Sequence, residues 1–238
     1  HIPQSHILSG LVGSEMCIRD SIKHVRLSGL GMQKTPSLQN AYDLKSPDDN
    51  VELYSAWAET YDNDFIEDMQ YKLHFSVAEE FVLNGGKGLI LDVGAGTGAL
   101  AQALLQKGKF SIEATDISEE MLKVAKSKKI YERSFLSDLT DEIPMENDIY
   151  DGVVSSGTFT HGHVGPSAIV ELVRVTKPGG LVTISVNEKH WIALNFENEV
   201  EKLNKYVRNY TLKKISIYGE QSTHDHKDDK AIILTIKV

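Results

Sequence analysis

The segment Leu89-Ile-Leu-Asp-Val-Gly-Ala-Gly-Thr-Gly98 constrains the fold more than any other part of the chain. Leu89 to Val93 is a short apolar run, followed by glycines at positions 94, 96 and 98 and then by the helical pattern of Ala99 to Gln106. An apolar run of this length that ends in a glycine cluster reads as a buried strand and a turn. Glycine lets the chain turn tightly and lets a ligand approach the main chain with no Cβ in the way. The helix beyond it offers its first, unpaired N–H groups. Such a strand–turn–helix belongs to an open parallel sheet that binds a nucleotide-like ligand. It does not identify the ligand, since Gly94-x-Gly96-x-x-Ala99 also satisfies the permissive dinucleotide fingerprint.

The flanking pattern supports that sheet. Ser111 to Thr115, Arg133 to Leu136, Tyr150 to Ser155 and Leu181 to Val186 read as further strands. Helices separate most of them. One follows Ser118, with Glu119 and Glu120 at its start and Lys126, Lys128 and Lys129 at its end, the order the helix dipole favours. Another spans Ser167 to Thr176, before the turn Lys177-Pro-Gly-Gly180. Repeated strand–helix–strand units predict a parallel sheet with helices on both faces. The tail differs. Leu212 to Tyr218 and Ala231 to Val238 are strand-like and separated only by the polar loop Gly219 to Lys230, which implies an antiparallel hairpin.

Upstream, Ser46-Pro47-Asp48-Asp49 is a helix start, with serine as cap and proline in the first turn. Leu53, Trp57, Tyr61 and Phe65 continue it as a stripe at four-residue spacing. A second helix is expected from about Gln70 to Leu83, with Tyr71, Phe75, Ala78 and Val82 on one face, stopped at Asn84-Gly85-Gly86. Residues 1–45 read as a non-native and mobile lead-in, because 22–45 hold no period and Leu11 to Ser21 resembles a translated library-adaptor sequence. The expected organisation is one domain over 46–238, with covering helices in 46–84 and the sheet core in 88–238.

Asp92 and the tail narrow the ligand, while Asp116 agrees with either cofactor and supports the fold. Asp92 stands at the strand end just before the turn, a poor neighbour for a pyrophosphate and a good one for a cationic ammonium or sulfonium. Asp116 ends the next strand, where it can accept hydrogen bonds from both hydroxyls of a ribose. An antiparallel tail does not suit a two-halved dinucleotide domain. Ile90 to Gly98 resembles motif I of class I S-adenosylmethionine-dependent methyltransferases, and Thr115-Asp-Ile-Ser-Glu-Glu-Met-Leu122 resembles their motif II. Ser137-Asp-Leu139 is similar to their adenine-binding segment, Tyr150-Asp-Gly-Val-Val-Ser-Ser156 to motif IV, and Lys177-Pro-Gly-Gly180 to the turn before the fifth strand. A narrower likeness is to the Williams–Beuren region methyltransferases, the methyltransferase-like protein 27 group. It rests on Tyr54-x-x-Trp57-Ala-x-x-Tyr61-Asp62, Ser156-Gly-Thr-Phe-Thr-His-Gly-His163 and Glu171-Leu-Val-Arg174.

The resemblance implies a Rossmann-like α/β fold with a mostly parallel seven-stranded sheet and an antiparallel C-terminal hairpin. It implies S-adenosylmethionine as cofactor, held by Trp57, Tyr61, Asp92, Gly94, Ala95, Gly96, Gly98, Asp116, Ile117, Asp138, Leu139, Ser155 and Ser156. His161 and His163, after the fourth strand, are candidate bases because histidine titrates near neutrality. No metal site is expected, since His224 and His226 sit in a polar hairpin loop. A net charge of -9 gives no general attraction to a polyanion, and the Asn/Asp-Pro-Pro-Tyr/Phe segment of amino-directed DNA methyltransferases is absent. The expected acceptor is therefore a small molecule, with a protein second and no nucleic acid. With one cysteine and no membrane-length apolar run, the expectation is a cytoplasmic monomer or weak dimer away from membranes. A dinucleotide-dependent oxidoreductase and a non-catalytic cofactor-binding scaffold are the alternatives.

Overall fold

The sheet is organised around β1 (Leu89–Val93), four of whose five residues are buried. A strand buried on both faces must be covered by helices on both, and the alternation of its side chains assigns them. Ile90 packs with Val77 and Phe81 of α3 (Leu73–Leu83) and Leu100 and Leu104 of α4 (Ala99–Lys107). Leu91 and Val93 join the opposite layer, with Ile169 and Leu172 of α6 (Ala168–Val175) and Phe196 and Val200 of α8 (Phe196–Leu203). The computed structural model describes residues 36–44, 46–160 and 164–238.

Strand order is β3-β2-β1-β4-β5-β7-β6. The strands β2 (Ser111–Asp116), β3 (Arg133–Leu136), β4 (Tyr150–Phe159) and β5 (Thr176–Asn187) join β1 in parallel. β7 (Lys230–Lys237) runs antiparallel to both β5 and β6 (Asn209–Ser216). This is the expected α/β Rossmann-like fold with its C-terminal antiparallel hairpin. The chain moves outward on one side of β1 through β2 and β3, and on the other through β4 and β5. The strand ends at β1 and β4 therefore diverge and leave a crevice, the usual ligand position in such sheets.

A cover lies over that crevice. It consists of α1 (Leu38–Tyr42), α2 (Pro47–Trp57) and a wide helical turn over Asp62–Glu67. Ser46 caps α2 by accepting from the Asp49 N–H at 3.2 Å. In the wide turn the Asp68 N–H reaches Asn63 O and the Tyr71 N–H reaches Ile66 O, both at 3.0 Å and five residues apart. The cover is tied down at three points. Asp62 accepts from the Thr97 hydroxyl and the Lys128 ammonium. The Ser55 hydroxyl donates to Glu120 at 2.8 Å. Past the turn, Tyr71 pairs with Tyr218, flanked by Lys72 N–H to Ile217 O at 3.0 Å and Gly219 N–H to Gln70 O at 2.9 Å.

Three expectations change. Part of the lead-in is structured: Leu38, Ala41 and Leu44 are buried against the aromatic cluster around Trp57 and Phe65. α3 begins at Leu73 and buries Leu73, His74, Val77, Ala78 and Phe81, while Phe75 is 47% exposed. The expected face was phased from Tyr71, which pairs as a strand residue and so misplaced the helix. Two helices after β5 had no expectation: α7 (Glu188–Ala193), capped by Asn187, and α8. No described helix is long and apolar enough to cross a membrane.

Candidate functional site

The crevice is a cleft with about 1010 Å³ of empty space, its open mouth included. Its floor is the glycine turn. Gly94 has φ +65°, and a Cβ there would meet the Thr158 hydroxyl at 2.0 Å. Gly96 has φ +54°, yet a Cβ there would meet nothing within 4 Å. The first glycine is required by the protein's own packing. The second leaves open main chain for a ligand, so the turn fits a group that lies against its backbone.

Asp116 anchors this floor. Its Oδ2 accepts from the Gly96 N–H and its Oδ1 from the Ser118 N–H, each at 2.8 Å. Burial raises its pKa, and the Ser118, Gly96 and Ile117 N–H groups offset that only in part. Each carboxylate oxygen keeps a second lone-pair site for a ligand hydroxyl. Ile117 lines the cleft beside it. After β3, Asp138 and Leu139 also line it. Asp138 Oδ1 accepts from the Thr140 N–H at 2.8 Å and the Thr140 hydroxyl at 2.7 Å.

The structure brings Tyr61, Gly94, Ala95, Gly96, Asp116, Ile117, Asp138, Leu139 and Ser156 onto the cleft surface. Four expected contacts lie elsewhere. Trp57 is 2% exposed, packs in the core, and donates its indole N–H to Asp64 at 3.3 Å. Ser155 is fully buried and donates to Val93 O at 2.7 Å. Gly98 caps α4 and faces Ile130 and Tyr131. Asp92 is 1% exposed and accepts from the Tyr131 hydroxyl at 2.6 Å. Alternation along β1 puts Asp92 on the α3–α4 face with Ile90, off the cleft lining. Burial pushes its carboxyl up to about 7, against the lowering effect of the Tyr131 bond. The candidate bases His161 and His163 lie outside the described residues.

The cover contributes residues that were not among the expected cofactor contacts. Tyr54 lines the cleft together with Tyr61. Burial raises both hydroxyls above the usual phenol range, so they remain neutral. Helical spacing puts Tyr54, Trp57 and Tyr61 on one face, so it could not show which of them reaches the ligand space. Tyr71 also lines the cleft, its hydroxyl 3.1 Å from that of Ser156. His74 is 4% exposed, and its Nδ1 is buried with no hydrogen-bond partner. Burial pushes its pKa down to about 4, which keeps the ring neutral at physiological pH. Its sequence signal was only a histidine within an apolar helical stretch. Among the described residues there is no cluster of metal-ligating side chains.

A family model described as a methyltransferase domain matches residues 91–184. Over 141 residues the chain is 34% identical to human methyltransferase-like protein 27, covering 57% of this chain and 56% of that protein. It therefore spans a little over half the length of that relative. Over 195 residues it is 28% identical to the ubiquinone/menaquinone biosynthesis C-methyltransferase UbiE of Burkholderia mallei, covering 79% of this chain and 69% of that one. A solved S-adenosylmethionine-dependent methyltransferase from Clostridium acetobutylicum aligns with a TM-score of 0.53 at 18% identity, over 78% of this chain and 98% of that one, a likeness of fold. Residues 91–184 thus match a methyltransferase domain, set in a fold shared with a solved S-adenosylmethionine-dependent methyltransferase.

Proposed function

We propose that the protein transfers a methyl group to a small-molecule acceptor by in-line displacement. The observation that carries this reading is Asp116, which binds the Gly96 and Ser118 N–H groups at the floor of the cleft and keeps acceptor capacity for a ribose diol. Gly94 to Gly96 would hold the amino-acid end of the cofactor through main chain. Asp138 and Leu139 would hold its adenine, and Tyr54 and Tyr61 would close over it. The bound cofactor supplies an electrophilic methyl group on a sulfonium. The residues around it orient the acceptor and exclude water, and positioning of that kind is worth on the order of 7–11 kcal/mol of barrier. Where the acceptor has a proton to lose, the base is proposed as His161 or His163, which follow β4 in sequence.

A small-molecule acceptor is supported by a covered cleft lined by tyrosines, and by the likeness to UbiE, a ubiquinone/menaquinone biosynthesis enzyme. The narrower kinship with the methyltransferase-like protein 27 group is supported by the 34% identity. Titration calorimetry tests the cofactor reading. S-adenosylhomocysteine should bind and NAD should not, and Asp116→Ala should lose the S-adenosylhomocysteine heat. Binding of NAD alone would replace the reading with an oxidoreductase. Cofactor binding with no transfer to any acceptor in a labelled-methyl screen would replace it with a scaffold.

A further inference from the structure

Behind the cofactor cleft lies a second chamber of about 540 Å³, including its open volume. Tyr54, Tyr61, Tyr71 and Gly157 line both spaces, so the two adjoin along these residues. The far side is also aromatic, with Tyr42, Phe65, Phe159 and Tyr218. None of the described residues lining it is charged. We propose that this chamber holds the methyl acceptor and that the acceptor is a neutral, flat, mostly apolar molecule of about the size of a substituted phenol. The proposal rests on the methyl-transfer reading above and adds the acceptor's place and chemistry.

The lining decides the class. A carboxylate or phosphate entering here would shed its water and meet no cation. An apolar ring would instead meet aromatic faces already held in place. Tyr61 stacks on Phe65 at 4.9 Å between centroids, and Phe65 lies 4.8 Å from Tyr71. Tyr42 is stacked on His226 at 3.8 Å, and its hydroxyl lies 3.5 Å from that of Tyr218. Burial keeps Tyr218 neutral, its hydroxyl pushed up to about 12. The polar groups among the lining residues are uncharged hydroxyls and one amide, and some are committed to partners. The Ser185 hydroxyl accepts from the Gly157 N–H at 3.2 Å. Asn187 Oδ1 accepts from the Lys189 N–H at 2.9 Å, which leaves its amide NH₂ as a donor to a neutral acceptor's oxygen. α1 forms one side of the space through Leu38, Ala41 and Tyr42.

The test is ligand-observed NMR titration of the full chain, with and without saturating S-adenosylhomocysteine. The probes are 4-ethylphenol, its anionic counterpart 4-hydroxybenzoate and its cationic counterpart tyramine. The proposal expects 4-ethylphenol to bind at least tenfold more tightly than either charged probe. Ala41→Phe, at a residue that lines only the second chamber, should weaken 4-ethylphenol at least tenfold and leave S-adenosylhomocysteine affinity within twofold. Leu38→Trp replaces it if the melting temperature shows that the first variant does not fold. Equal or tighter binding of 4-hydroxybenzoate or tyramine, or no binding of 4-ethylphenol, overturns the proposal. So does a plugged variant that binds 4-ethylphenol normally. Failure of S-adenosylhomocysteine to bind instead overturns the cofactor reading, and the titration without it still judges the chamber.

Discussion

Replacing Asp92 with asparagine separates the packing role of this side chain from its charge. The carboxyl is 1% exposed, bonded to Tyr131, and held at about 7. Asparagine keeps the shape and an oxygen for the Tyr131 hydroxyl. In the unfolded chain an aspartate titrates at about 3.9. Between that value and 7 the native state binds more protons than the unfolded state, so stability falls as pH rises through this window. At about 1.4 kcal/mol per unit, the buried charge costs the wild type about 1.5 kcal/mol at pH 5 and about 4 kcal/mol at pH 8. The variant carries its own pH-independent cost for the amide NH₂. Groups common to both proteins cancel in the difference. Urea denaturation of both at pH 5 and pH 8 should therefore show the variant gaining on the wild type by about 2.5 kcal/mol over this interval. A stability gap constant to within about 0.5 kcal/mol, or one that moves the other way, would refute the assignment of a buried, proton-retaining Asp92.

His74 should act with the opposite sign. Its native pKa of about 4 lies below the unfolded value, so stability is lost as pH falls from 6.5 toward 4, by about 2.5 kcal/mol between pH 7 and 4.5. His74→Phe should remove that slope from a series of melts, and an unchanged slope would count against the burial argument. Gly94→Ala should prevent stable folding, because its Cβ would fall within 2.0 Å of Thr158. Gly96→Ala should cost only about 1–2 kcal/mol in melting experiments, the penalty of a left-handed alanine, yet abolish S-adenosylhomocysteine binding in calorimetry. Equal destabilisation by the two alanines would contradict this division. Asp62→Ala releases Thr97 and Lys128 from the cover. It should cost about 1–2 kcal/mol of stability and raise the S-adenosylhomocysteine Kd.

The alternation of short apolar runs, glycine or proline turns and capped helices specified the parallel sheet and its antiparallel tail before any coordinates, because these signals are local. A glycine triplet, a serine cap and a period of two or 3.6 act over a few residues. The same locality made Gly94, Gly96, Asp116 and Asp138 legible as one surface, since parallel strands bring their C-terminal ends to one edge. The tertiary structure alone decided which way side chains leave those ends. Asp92 and Ser155 turned away from the lining because strand alternation and helix cover commit them to buried partners. Trp57 went to the core while Tyr54 and Tyr61 took the cleft, although all three share a helical face. Tyr71 began a strand pairing where a helix was expected, because its partner Tyr218 lies 147 residues away in sequence. The second chamber joins residues from α1, the rest of the cover, β4, β5 and the tail. No local pattern encodes a wall built from five distant segments; only the packed chain brings its aromatic rings together.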